Sequence, residues 1–124
     1  MGWEEKRKYQ RAYIKFPVEY RSQNFWQYID ATDISAGGLF LVTNNVEPPG
    51  TKIEVMFELG EEKKFVHAEG VVAWNRKEPA QDSEGKINPA GMGIMFTKLT
   101  PMSAQDFIDQ LVKTINIKEE KKNG

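Results

Sequence analysis

The sequence contains no cysteine and a single histidine, His67. Disulfides and thiolate metal sites are therefore excluded, and a zinc site of the usual His/Cys kind lacks its ligands, so no bound metal is expected. No apolar run approaches the roughly 20 residues of a membrane-spanning helix, and no membrane insertion is expected. The opening stretch "MGWEEKRKYQR" is basic, but no hydrophobic segment follows it as a secretory signal requires. Lys6 stands where a myristoylation motif needs Ser or Thr. The lack of cysteine fits a reducing compartment, and the expected location is the cytoplasm. Net charge is nearly absent as well: 17 Lys and Arg face 18 Asp and Glu, giving −1. No global field draws this chain to a nucleic-acid polymer, and none is expected as a partner.

What is present reads as one small β domain. A chain of 124 residues suits a single core. In "AYIKFPVEY", Ile14, Phe16, Val18 and Tyr20 alternate with polar or exposed types, the period of a half-buried strand. Pro17 cannot donate to a ladder and belongs at an edge or bulge. "NFWQYIDATDI", "GLFLVT", "KIEVMFEL", "FVHAEGVVAWN" and "GMGIMF" read as further strands. Gly70 marks a bulge or bend in its strand, and Trp74 is read as packing at the core or rim. "VEPPGT" and "GEEKK" are turns, and "RKEPAQDSEGKINPA" is a long polar loop. The last element differs: "SAQDFIDQLVKTI" lines up Phe107, Ile108, Leu111, Val112 and Ile115 on one helical stripe. Ser103 with Asp106 offers a capping box, and Thr100 followed by Pro101 offers another start. The pattern predicts a mainly β fold, a small barrel or sandwich of six or seven short strands, with one helix covering an open end.

Catalytic machinery is hard to assemble from these residues, and no catalytic residue is expected. His67 stands alone in a strand, where a structural role is the ordinary one. Ser35 has no apparent general base. There is no phosphate-loop lysine, and "GMG" at 91–93 has the wrong spacing for a dinucleotide fingerprint. The acidic residues lie mostly in turns and tails, where solvated carboxylates are expected.

Two short motifs remain. Lys6, Arg7, Lys8, Arg11 and Lys15 crowd the amino-terminal arm against only Glu4 and Glu5. Within "RKYQR", Arg7 and Arg11 are four apart and fall on one face of a helix or a strand. Guanidinium forks match phosphate oxygens and the O6/N7 edge of guanine. The second motif is "DISAGG", residues 33–38. In an extended chain Asp33 and Ser35 project to the same side. A carboxylate there can accept from the N1–H and N2–H of guanine, and a hydroxyl can donate to phosphate or base. Gly37 and Gly38 let the backbone turn and let a flat ligand approach. Taken singly, each motif is equally an ordinary surface pair of arginines or a hydrogen-bonded turn capped by Asp33.

In order, RxxxR and then DxSxxG at the front of a small β domain, the motifs resemble those of the PilZ domain family of bacterial cyclic di-GMP receptors. "YIKFPVEY" resembles that family's first strand and "GMGIMF" its last barrel strand, and the resemblance runs from about residue 4 to residue 115. It implies a six-stranded antiparallel β-barrel with a C-terminal α-helix. The implied division is an arm at 1–11, the barrel and helix at 12–117 and a charged tail at 118–124. The implied ligand is cyclic di-GMP, with no other cofactor, bound by Arg7, Arg11, Asp33, Ser35 and Gly38. Trp74 and Arg76 follow a barrel strand that could pass near the ligand; Trp74 is read first as core or rim packing, and Lys6, Gly37 and Arg76 are candidates for auxiliary contacts. Lys6 precedes the motif at a position linked to ligand stoichiometry, and it lacks arginine's flat fork. Gln10 stands where the family often has proline. The implied function is a non-enzymatic receptor or adaptor that changes conformation on binding and signals to an unidentified protein partner in motility, pilus or biofilm control. The alternative is a PilZ-like interaction adaptor that works without nucleotide.

Overall fold

The computed structural model describes residues 9–123, with side chains through residue 119. Among the described residues nine strands precede one helix. They are β1 (Arg11–Ala12), β2 (Phe16–Ser22), β3 (Trp26–Ser35), β4 (Gly38–Val42), β5 (Lys52–Leu59), β6 (Lys64–Arg76), β7 (Ala80–Gln81), β8 (Ile87–Asn88) and β9 (Gly91–Thr100), followed by α1 (Ala104–Asn123). The main sheet runs β1-β3-β2-β5-β6-β9-β4, and β4 pairs back onto β3. That last pairing closes an antiparallel barrel of six strands, with β1 flanking β3, and it removes the sheet edges.

Alternation decides the interior. Val18 and Tyr20 of β2, Ile53, Val55, Phe57 and Leu59 of β5, and Val66, Ala68 and Val72 of β6 are all buried. Pro17 pairs with Asp30 of β3, whereas β5 joins β2 only from Glu19 onward, so the proline sits where β2 has one neighbour. The register slip near Gly70 is present, but the extra residue is Thr97 on β9, between Phe96 and Lys98. A Cβ on Gly70 would stand 2.4 Å from the Met95 carbonyl oxygen, which is why this position has none.

The helix packs as its stripe requires. Ile108 and Val112 are fully buried with the barrel core, and Phe107, Leu111 and Ile115 pack against it. Ser103 occupies the N-cap position, because its carbonyl accepts from the Phe107 amide at 3.1 Å. Two boundaries differ from expectation. The helix continues to Asn123, so most of the segment set apart as a tail at 118–124 is helical; its Lys and Glu residues are good helix formers. Arg11, expected to end the arm, already pairs with Ser35 in the sheet. The polar loop before β9 also folds further than expected. β7 and β8 form a short hairpin whose turn is held by Asp82 Oδ1, which accepts from Glu84 N at 2.9 Å and Lys86 N at 3.0 Å.

One carboxylate breaks the expectation that acids lie solvated in turns. Glu47, in the "VEPPGT" turn, is only 2% exposed. Tyr20 Oη donates to its Oε2, and Asn24 Nδ2 donates to its Oε1 at 3.0 Å. Asn75 Nδ2 donates to its carbonyl at 3.0 Å. Burial, reinforced by the adjacent carboxylate, pushes the Tyr20 phenol above its ordinary range, so it remains a donor. This cluster fixes the turn before β5 to the inside of β2 and the end of β6. Tyr20→Phe removes a donor from a buried acceptor and is expected to cost about 2 kcal/mol in chemical denaturation, with an unchanged fold. A loss below about 0.5 kcal/mol would show that the buried carboxylate does not depend on Tyr20.

Candidate functional site

The site begins with a fault in strand alternation. In β3, Ala31 is fully buried and pairs with Leu41, yet Asp33 pairs with Phe40, so Thr32 is an extra residue. This bulge resets the strand. Ile34 and Ala36 take the inward positions, at 0% and 1% exposure, and Asp33 and Ser35 turn to the outer wall together. The same-side projection expected for these two residues is present. The motif itself is the end of β3 followed by a tight turn into β4.

Asp33 does not cap that turn. Ser35 does: its Oγ accepts from the Gly37 amide at 3.1 Å and keeps its own proton to donate. Asp33 Oδ1 is buried and has no hydrogen-bond partner among the described residues. Among the described residues it forms an ion pair with Arg11, with Nε at 3.8 Å, beyond hydrogen-bond range. Burial raises the Asp33 carboxyl above its usual value, and the Arg11 charge and the Phe40 backbone offset that only in part.

Gly38 has a packing role beside the one expected of it. Neither Gly37 nor Gly38 has a positive φ. A Cβ on Gly38 would lie 2.0 Å from the Ile94 carbonyl oxygen, so this glycine lets β4 and β9 close together. A Cβ on Gly37 would meet the Tyr9 ring at 3.4 Å and the Ser35 Oγ at 3.7 Å. The Gly37 carbonyl accepts from the Phe96 amide at 2.9 Å, which ties the turn to β9.

Arg11, Asp33, Ser35, Gly37 and Gly38 all line one groove of about 720 Å³, within the usual range for a small-molecule site. Lys6 and Arg7 lie outside the described residues. The groove continues across β4 and β9 to β6, where Phe40 and Trp74 line it. Trp74 was expected at the core or rim, but a second bulge, at Ala73, places it on the outer wall at 43% exposure. Nothing in a single sequence marks a one-residue bulge, so periodicity had no means of finding this residue. Arg76 stands beyond it, with its guanidinium over the Trp74 and Phe40 rings at 5.2 and 5.5 Å. Its Nη1 donates to the Pro89 carbonyl at 2.9 Å.

His67 is elsewhere, paired with Glu54 at 2.7 Å across β5 and β6, and it does not line the groove. Among the described residues no cluster of His, Asp and Glu could hold a metal ion, and no helix is long and apolar enough to cross a membrane.

Comparison with known proteins agrees with this architecture. The family model described as the PilZ domain matches residues 5–113. No curated protein matches the chain. Among solved structures, the chain is similar to the inhibitor of motility MotI/DgrA of Bacillus subtilis, with a TM-score of 0.72 and 16% identity. That likeness covers 90% of this chain and 51% of the other, so the chain spans about half the length of that protein. It is also similar to the PilZ domain with c-di-GMP of YcgR from Escherichia coli, with a TM-score of 0.63 and 12% identity over 95% of this chain and 97% of that one. At such identities the structural likeness establishes the fold.

The raised Asp33 carboxyl gives a stability test. The folded protein keeps this proton to higher pH than the unfolded chain does. The contribution is therefore present at low pH and lost as pH rises through the carboxylate range. Asp33→Asn removes the charge at nearly constant shape. At pH 7 the ligand-free variant is expected to melt a few degrees higher, on the order of 1 kcal/mol, with the gain shrinking toward pH 3. A lower melting temperature at pH 7 would mean that Arg11 outweighs the desolvation.

Proposed function

The chain belongs to the PilZ domain family, and from that premise we propose that it is a non-enzymatic receptor for cyclic di-GMP. The observation that supports this most directly is the largely buried Asp33 carboxylate in the groove lining, whose Oδ1 has no hydrogen-bond donor among the described residues. A buried acceptor left unpaired costs stability, and it is retained where a ligand supplies the donor. Guanine has two donors on one edge, N1–H and N2–H, that suit a carboxylate. Ser35 adds a hydroxyl beside it, and Arg11 adds a guanidinium that is 54% exposed on its side chain. Arg7, four residues earlier, supplies a second fork for phosphate or for the guanine O6/N7 edge.

In this reading the ligand joins two parts of one chain. Asp33 and Ser35 are the fixed wall, held by the barrel. Arg11, rooted in β1 beside Ser35, faces the ligand from the same wall, and Arg7 closes on it from the arm, with Lys6 and Gly37 at the margin. Gly38 serves indirectly, by letting β4 approach β9. Binding changes the conformation of this surface, and a partner protein reads the result. The similar Bacillus subtilis structure is named as an inhibitor of motility, which favours motility among the processes considered. The unpaired acceptor favours a receptor over an adaptor that works without nucleotide, because an adaptor has no use for it.

Isothermal titration with cyclic di-GMP tests the proposal. The wild-type protein is expected to bind. Arg7→Ala, Arg11→Ala and Asp33→Ala are each expected to lose on the order of 2–5 kcal/mol of binding free energy. An absence of binding by folded wild-type protein, or unchanged affinity in Asp33→Ala, would overturn it. The same titration reports the stoichiometry that Lys6 leaves open.

A further inference from the structure

The outer wall carries a second aromatic surface, away from the groove. Trp26 and Tyr28 stand two residues apart in β3, so both rings point outward, and they are 65% and 75% exposed. Two large rings side by side on one face mark an interaction surface. Neither lines the groove. Trp26 precedes Asp33 by seven residues, about 23 Å along the strand.

The indole is held in place without being covered. Its Nε1 donates to Glu19 Oε2 at 2.8 Å, and Arg21 Nε donates to the same oxygen at 3.2 Å. The Arg21 guanidinium lies 4.6 Å from the centre of the indole. A ring fixed in advance loses little freedom on contact. The ladder arranges this face in three levels: Arg21 pairs with Trp26, Glu19 with Tyr28 and Pro17 with Asp30. Both signs of charge are interspersed. Arg21 and Lys15 stand against Glu19 and Asp30, with Lys15 Nζ 3.7 Å from Asp30 Oδ2. A partner of one charge sign finds no match on such a pattern, whereas a second copy of the same face does.

We propose that the β2–β3 outer face joins two copies of this chain about a two-fold axis that lies in the contact plane, parallel to the two strands and between them. The proposal stands apart from the nucleotide reading. Such an axis exchanges β2 with β3 and keeps each pair at its own level. Trp26 then faces the second copy's Arg21, a cation against an aromatic ring. Tyr28 faces the second copy's Glu19, a hydroxyl donor against a carboxylate. Pro17 faces Asp30. An axis along β2 itself would set Arg21 on Arg21 and Glu19 on Glu19, which like-charge repulsion opposes. The four rings, at about 150–250 Å² each when fully covered, form the centre of the contact. That places it at the small end of specific interfaces, near about 1,200 Å² in total, so the dimer is reversible and concentration-dependent.

Sedimentation equilibrium on the full chain, without nucleotide, tests this. Wild type is expected to pass from monomer to dimer between micromolar and about 1 mM. Trp26→Ala and Tyr28→Ala are each expected to weaken the dimer about 30-fold, the threshold of an interface hot spot. Phe65→Ala removes a ring that is 58% exposed on β6 and is expected to leave the dimer unchanged. A chain that stays monomeric throughout, or a dimer that folded Trp26→Ala and Tyr28→Ala leave intact, would overturn the proposal. A second readout keeps both rings. The chain has no cysteine, so Asp30→Cys and Glu84→Cys proteins carry one thiol each. A short bismaleimide is expected to join Asp30→Cys into covalent dimers and to leave Glu84→Cys, on the β7–β8 hairpin, monomeric. Equal cross-linking of the two would place the contact elsewhere and overturn the proposal.

Discussion

A closed barrel gives a strand residue two choices, core or outer wall, and strict alternation makes the choice in advance. β3 obeys that rule as far as Ala31. Continued one step further, it would drive Asp33 into an apolar interior beside Ile34's present neighbours, a position no unpaired carboxylate tolerates. The extra residue at Thr32 exchanges the two faces. Ile34 fills the core, and Asp33 and Ser35 reach the groove. The site depends on this single slip of register. It aligns Asp33 with Phe40, Gly93 and Trp74, and it sets Ser35 opposite Arg11 in the β1 pairing. β6 uses the same device at Ala73, so two bulges on opposite flanks turn side chains toward one groove.

Such slips forfeit ladder hydrogen bonds and local regularity, and they persist only where the surroundings over-determine them. The surroundings here are rigid. Gly38 lets the β4 and β9 backbones come together where any side chain would collide with the Ile94 carbonyl. The Gly37 carbonyl is bonded to Phe96, and the buried Tyr20–Glu47 cluster secures the turn that enters β5. Against that frame Asp33 is a local defect: largely buried, with one oxygen unpaired among the described residues and its carboxyl raised. The defect and the frame are complementary. A wall that could relax would bury Asp33 against its own amides, and the turn amide is already taken by Ser35.

Much of this was legible in the sequence, and the limits are physical. Alternation in "KIEVMFEL" placed Ile53, Val55, Phe57 and Leu59 inside, where they are, and the stripe from Phe107 to Ile115 placed the helix. These are long periodic signals enforced by burial. The likeness of "RKYQR" and "DISAGG" to two family motifs pointed to the groove, although Arg7 lies outside the described residues. Trp74 was read as core or rim packing ahead of a place near the ligand, because a bulge is one residue of tertiary geometry with no period of its own. Gly38 was legible as a special position, but its reason was not, because the collision is with Ile94, 56 positions away. Glu47 looked like an ordinary turn acid, because its partners lie far off in the sequence, Tyr20 and Asn24 in β2 and the turn after it and Asn75 near the end of β6.

Arg11 belongs to both systems. Its backbone pairs with Ser35, so the groove wall fixes where the arm enters the barrel. Its carbonyl accepts from Asn116 Nδ2 at 3.1 Å, and the same amide reaches Gln10 Oε1 at 3.2 Å. The helix therefore holds the root of the arm as well as the open end of the barrel. This accounts for a feature the loss of the usual proline would otherwise leave open. Gln10 does not stiffen the backbone as a proline would, but its side chain is anchored to α1. The guanidinium of Arg11 is thereby brought near Asp33 without being spent on it: at 3.8 Å the two share charge and no hydrogen bond. A closer pair would satisfy the carboxylate internally and take that acceptor away from the groove.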